Sequence, residues 1–102
     1  MTNFQPKQTF NKDGIAHKLI RYSETTNPDR GEVGKAYGVG LYELSLVGEN
    51  EVVGYNVHRM RVRFNSFDQI EYLAQPASGL WGVDGFSYYT LCKSLTKFNE
   101  MI

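Results

Sequence analysis

A chain of 102 residues has room for one domain with one hydrophobic core, and its 41% hydrophobic and 22% charged content excludes wholesale disorder. Eleven basic and eleven acidic side chains cancel, which excludes the large net charge of a strongly basic nucleic-acid binder or an acidic nucleic-acid mimic and leaves only local patches. One cysteine, Cys92, excludes an internal disulfide and any multi-cysteine zinc site.

The first residues are polar and lack the apolar stretch of a secretory signal, and no apolar run reaches the ~18 residues of a membrane span. A cytoplasmic protein with no membrane contact is therefore expected. Residues 1–13 read as a loosely ordered leading segment that ends in the turn signal Asp13-Gly14. Residues 15–22 form the first expected strand. Residues 23–35 are a polar loop, long for a compact domain, and loops of that length are usually functional or mobile.

A second strand is expected over 37–47, with Gly40, Tyr42, Leu44 and Leu46 on one face and Leu41, Glu43 and Ser45 on the other. The turn Gly48-Glu49-Asn50-Glu51 leads into a third strand over 52–64, so the two make an antiparallel hairpin, with Gly54 marking a bulge. In that third strand His58, Met60, Val62 and Phe64 share the expected core face. Val57, Arg59, Arg61 and Arg63 share the expected solvent face.

At Asn65 the pattern changes. Ser66-Phe67-Asp68-Gln69 has the form of a capping box, which predicts a short helix through Ala74 with Phe67, Ile70, Leu73 and Ala74 at helical spacing and Pro76 as its stop. A glycine-punctuated loop over 77–85 carries Leu80 and Trp81. Asp84 then caps a final helix over 86–100, whose stripe Tyr88, Leu91, Cys92, Leu95 and Phe98 faces the core, with Cys92 as a small buried hydrophobe. The expected fold is α+β in a single domain of residues 1–102. It has an antiparallel sheet of three to four strands followed by two C-terminal helices, in the order β-β-β-α-α.

The row Arg59-Arg61-Arg63 is the most informative local feature. Alternate strand positions lie about 6.7 Å apart, close to the phosphate spacing of a nucleic-acid strand, so the guanidiniums could track a backbone. The bland alternative pairs each arginine with a carboxylate on a neighbouring strand, such as Glu43, and the zero net charge favours it. His17 and His58 could act as a metal or acid–base pair, but no third ligand stands at a recognisable spacing, so packed strand residues are expected and no metal or cofactor is. Trp81 either plugs the gap between the two helices or projects as an interface anchor. The stretch Gly31-Glu32-Val33-Gly34-Lys35-Ala36 departs from a phosphate loop in its glycine spacing, and a strand follows it.

The segment Arg63-Phe64-Asn65-Ser66-Phe67-Asp68-Gln69-Ile70-Glu71, followed by Ser78-Gly79-Leu80, resembles small phage-encoded anti-CRISPR proteins of the type I-F-inhibiting kind. The resemblance covers about a fifth of the chain. It implies a non-enzymatic inhibitor that docks on a host ribonucleoprotein complex through an exposed sheet face and blocks access to target DNA. Taken together, these readings predict a protein–protein interaction domain acting by steric occlusion in the host cytoplasm. Arg59, Arg61, Arg63, Glu43 and Tyr55 on the outer sheet face, Arg30 in the polar loop, and Trp81 form its expected contact surface. A nucleic-acid-binding module using the arginine row is the alternative, and an enzyme built on His17 and His58 a third.

Overall fold

The computed structural model describes residues 5–26 and 28–102; residues 1–4 of the expected leading segment lie outside the described residues. Six strands run in chain order: β1 (Thr9–Lys12), β2 (Ile15–Glu24), β3 (Ala36–Leu46), β4 (Val52–Asn65), β5 (Ile70–Ala74) and β6 (Gly85–Tyr88). A 3-10 turn (Ser78–Leu80) precedes β6, and one helix, α1 (Leu91–Met101), ends the fold. The strands follow the spatial order β1-β2-β3-β4-β5, every pairing is antiparallel, and β6 pairs with β4 beside β5. The sheet curls into a half-barrel.

Local chemistry accounts for most of this. Asp13 and Gly14 both have positive φ, 54° and 78°, which is the backbone of a two-residue hairpin turn, and Lys12 lies opposite Ile15 across it. Strand β3 pairs with β4 as the short polar turn predicts. The register steps from Leu44 opposite Gly54 to Ser45 opposite Val52, so Val53 is an extra residue and the bulge falls beside Gly54 as expected. A second irregularity skips Ile20 between β2 and β3. Bulges of this kind bend strands and help a sheet curl.

The α+β expectation with two C-terminal helices is overturned. Where the capping box predicts a helix, the chain forms the β4–β5 hairpin, with Asn65 opposite Ile70. The polar side chains serve a turn instead. Asn65 Oδ1 accepts from the Phe67 amide at 2.9 Å, Asp68 Oδ1 accepts from the Ile70 amide at 3.2 Å, and Gln69 takes φ 60°. These side chains offer the backbone a turn as readily as a helix start, and a nine-residue helix has little stability of its own. Pairing with the far half of β4 decides between them.

The final helix is shorter than its pattern suggests. Residues 85–88 pair with β4, and Thr90 is the N-cap, its Oγ1 accepting from the Lys93 amide at 3.3 Å. Asp84 is therefore not a helix cap. The buried stripe of α1 is Ser94, Phe98 and Met101, while Cys92 is exposed rather than packed. Ser94 is tolerated there because its hydroxyl donates to the Leu91 carbonyl at 2.7 Å.

Helix α1 covers Val39, Leu41 and Val57, all fully buried, with Phe98 and Met101 between them and Tyr55, Phe86, Tyr88 and Leu95 around the edge. This is the face that strand alternation assigns to solvent, and the correction has a simple cause: α1 packs there. On the opposite, concave face Tyr42, Met60 and Val62 are also fully buried, as their alternation predicts, whereas Phe64, expected on the same core face, is exposed near the end of β4. The sheet is thus covered on both sides at its centre. Among the described residues no helix is long and apolar enough to cross a membrane.

Candidate functional site

The concave face holds a cleft of about 310 Å³. Strands β1 and β2 supply one wall. There the Phe10 and His17 rings stack with centroids 4.3 Å apart and planes 15° from parallel. Strand β4 supplies the floor through Asn56 and His58, two residues apart and therefore on one face. The opposite wall is Trp81, whose ring stands edge-on to His58 at 5.5 Å. Trp81 sits on a loop held by its own backbone bonds, with the Val83 and Asp84 amides both donating to the Leu80 carbonyl. Its indole also lies directly over Gly85, where a Cβ would meet the Trp81 ring carbons at 2.5 Å, so only glycine lets the indole reach this position.

His58 is 3% exposed and His17 7% exposed, and their ring centroids lie 6.1 Å apart. Burial pushes the His58 imidazole down to about 4 against the smaller opposing effect of its bond to Gln75, and burial likewise lowers His17. Both rings are neutral at pH 7. His17 donates from Nδ1 to the Ile15 carbonyl at 3.1 Å. His58 Nδ1 meets Gln75 Oε1 at 2.7 Å, and Gln75 Nε2 donates to the Tyr42 hydroxyl at 3.0 Å. Tyr42 donates in turn to the Lys7 carbonyl at 2.9 Å. The far nitrogen of His58, Nε2, is buried without a hydrogen-bond partner.

No three histidine, cysteine or carboxylate side chains converge as a metal group among the described residues. Both histidines send their Nδ1 protons to uncharged amide-type oxygens, not to carboxylates. Such a setting holds the rings in place without raising their basicity, so at neutral pH they act as hydrogen-bond acceptors and as poor general bases.

The arginine row is placed differently from its expected exposed state. Asp84, 1% exposed, receives Arg61 through Nε at 2.7 Å and Nη2 at 2.9 Å, and Arg59 through Nη1 at 3.3 Å. Burial by itself would raise the Asp84 carboxyl, but the guanidiniums of Arg61 and Arg59 outweigh it and hold the group below its usual range. Carboxylate pairing is thus what Arg59 and Arg61 do, with Asp84 in place of Glu43. Arg61 also donates to the Gly34 carbonyl at 3.2 Å, which brings the end of the polar loop against the row. Arg63 lies one step further, opposite Tyr72.

The remaining expected contact residues do not gather around that row. Glu43 and Tyr55 are cross-strand partners at the other end of the hairpin, where Tyr55 packs against the α1 core. Arg30 is exposed in the polar loop. Trp81 lies on the cleft side of the sheet and plugs no gap between helices. Sequence reasoning passes over Phe10, Asn56 and Gln75, which complete the cleft. The signal that finds them is a polar residue, His58, inside an otherwise apolar strand face, since a buried imidazole demands a partner.

Compared with protein-family models, with curated proteins and with solved structures, the chain finds no match in any of the three.

Proposed function

We propose that this chain is a small binding protein that takes up a compact, largely apolar ligand in the cleft between Phe10, His17, His58 and Trp81. The observation that carries this reading is the coincidence of the cleft with a buried histidine whose second ring nitrogen has no partner. A polar group in that state costs about 1–3 kcal/mol, which a bound donor recovers. Apolar walls with a few convergent polar groups are the usual composition of ligand sites, and about 310 Å³ is at the small end of their range. The low basicity of both histidines favours binding over acid–base catalysis.

Thermal melts against a library of small uncharged compounds test this. A true ligand at a hundredfold excess over its Kd adds about 2.7 kcal/mol of stability, about 10 °C or more in Tm for a domain of this size. The gain should vanish in Leu44→Trp, which fills the cleft, while far-UV circular dichroism stays unchanged. Hits whose NMR shifts map onto the arginine row or α1 instead of the cleft, or a library with no hits, defeat the reading.

One observation favours a second reading, an interaction domain that occludes a partner protein. The β4–β5 hairpin leaves Phe67 99% exposed, with Phe64, Ile70 and Tyr72 also exposed. Ile70 and Tyr72 share one face of the hairpin and Phe64 the other, with Phe67 in the turn between the strands, and exposed apolar surface marks protein contact sites. On this reading Phe67→Ser should weaken capture of a nuclease-resistant partner by about tenfold or more, at unchanged Tm. Equal capture by the two proteins argues against it.

A further inference from the structure

The hydrogen bonds beneath the cleft settle the polarity of its two polar groups. The Lys7 carbonyl can only accept, so the Tyr42 hydroxyl gives it its proton and must accept from Gln75. Gln75 therefore turns its amide nitrogen to Tyr42, and its oxygen faces His58. An amide oxygen cannot donate. His58 Nδ1 accordingly carries the ring proton, and Nε2, the nitrogen without a partner, holds a bare lone pair.

A second chain runs beside the first. The Trp81 indole N–H can only donate, and it goes to the Ser87 hydroxyl at 3.2 Å. Ser87 passes its own proton to Asn56 Oδ1 at 2.7 Å. The Asn56 oxygen is thereby engaged, and its NH2 group is the donor left for a ligand. Asn56 and His58 are neighbours on one face of β4 and both line the cleft, so an amide donor lies beside an imidazole acceptor whose Nε2 is itself buried and is reached only when a ligand parts the rings over it. Around them stand the rings of Phe10, His17 and Trp81. The floor itself carries no charge, because Asn56 is uncharged and His58 stays neutral, and the two charged residues that also line the cleft, Lys12 and Asp13, are of opposite sign.

From this arrangement we infer that the ligand is an uncharged one- or two-ring heteroaromatic compound whose ring N–H donates to His58 Nε2 and whose neighbouring ring acceptor takes the Asn56 amide. The inference rests on the cleft being the binding site and adds the ligand's class and orientation. Aromatic walls select a flat ring, and the modest volume limits it to about two fused rings. A site that buries a bare acceptor discriminates strongly against an analogue lacking the donor, because the acceptor is then left unanswered.

Benzimidazole, 1-methylbenzimidazole and indole are suitable probes, titrated at pH 7.5 into the full chain labelled with 15N. The chain has one Trp, so the Trp81 indole N–H gives a single unambiguous signal. Benzimidazole should shift the Trp81 signal and the Nε2 resonance of His58, while Nδ1 remains the protonated nitrogen. Methylation of the donor should weaken binding about tenfold or more, and His58→Phe should remove that difference. Indole, which keeps the donor and lacks the acceptor, should fall between the two. Equal affinity for benzimidazole and its methyl derivative at the Trp81 signal overturns the assigned ligand class but leaves the cleft as a binding site. No shift at Trp81 or His58 with any of the three overturns both the ligand class and the site.

Discussion

Asp84→Ala should lower the unfolding free energy by about 3 kcal/mol, among the largest losses any single polar substitution produces in this chain. The carboxylate is nearly inaccessible and ties β4 to the loop before β6 through bonds from both Arg59 and Arg61. Removing it leaves two guanidiniums side by side with no counter-charge. Each is still 28% exposed, so water screens part of the repulsion and the loss belongs at the lower end of the range for broken buried pairs. For a domain of about 100 residues this corresponds to a drop in Tm of more than about 10 °C. The backbone bond from the Arg59 amide to the Asp84 carbonyl, 2.6 Å, survives the substitution, so the fold should persist with a loosened 77–84 loop. Urea denaturation of Asp84→Ala and Asp84→Asn provides the measurement. A loss below about 1 kcal/mol in both would show that the triad contributes no more than an ordinary surface pair.

Acid should destabilise the protein well before its carboxylates titrate. His58 is held at about 4 in the fold, chiefly by burial, against an ordinary value of 6.5. Between those two values the unfolded chain binds a proton that the folded chain refuses, so stability rises with pH across the window. Its contribution is fully present above about 6.5 and is lost as the pH falls towards 4. At about 1.4 kcal/mol for each pH unit, the gap amounts to roughly 3 kcal/mol. His17 acts in the same direction, since burial lowers it too. The depressed carboxyl of Asp84 titrates below the ordinary value of 3.8, so the interval between pH 6.5 and 4.5 reports mainly on the histidines. Unfolding free energies measured at half-unit steps should slope upward in wild type and be visibly flatter in His58→Phe, whatever that variant's absolute stability. Equal slopes would mean that His58 is open to water.

The two predictions draw on features of different legibility. Alternation along β2, β3 and β4 is plain in the residues themselves, and so are the turns at Asp13-Gly14 and Gly48 and the bulge beside Gly54. Burial of Tyr42, Met60 and Val62 follows from that alternation. The segment 65–74 is different. Its Asn, Asp, Ser and Gln residues suit a helix start or a tight turn, and its apolar residues fit either period, so nothing local distinguishes the two. The stretch 85–90 is equally ambiguous until β4 offers it an edge. Asp84 shows how such an ambiguity misplaces a residue: next to a helix it would be a cap, but next to an edge strand it meets Arg59 and Arg61.

A neutral chain with a central antiparallel hairpin and an arginine row is legible in the residues alone, because strand period, turn chemistry and charge act over a few neighbouring residues. Only the tertiary structure decided that the sheet has six strands and one helix, that Val57 is buried beneath that helix, and that two of the arginines are neutralised. It also brought Phe10, His17, Gln75 and Trp81 around His58, residues separated by up to 71 positions in the chain. The reason is physical: β4 has two hydrogen-bonding edges, β3 occupies one of them, and what fills the other depends on competition among distant segments, which no local pattern records.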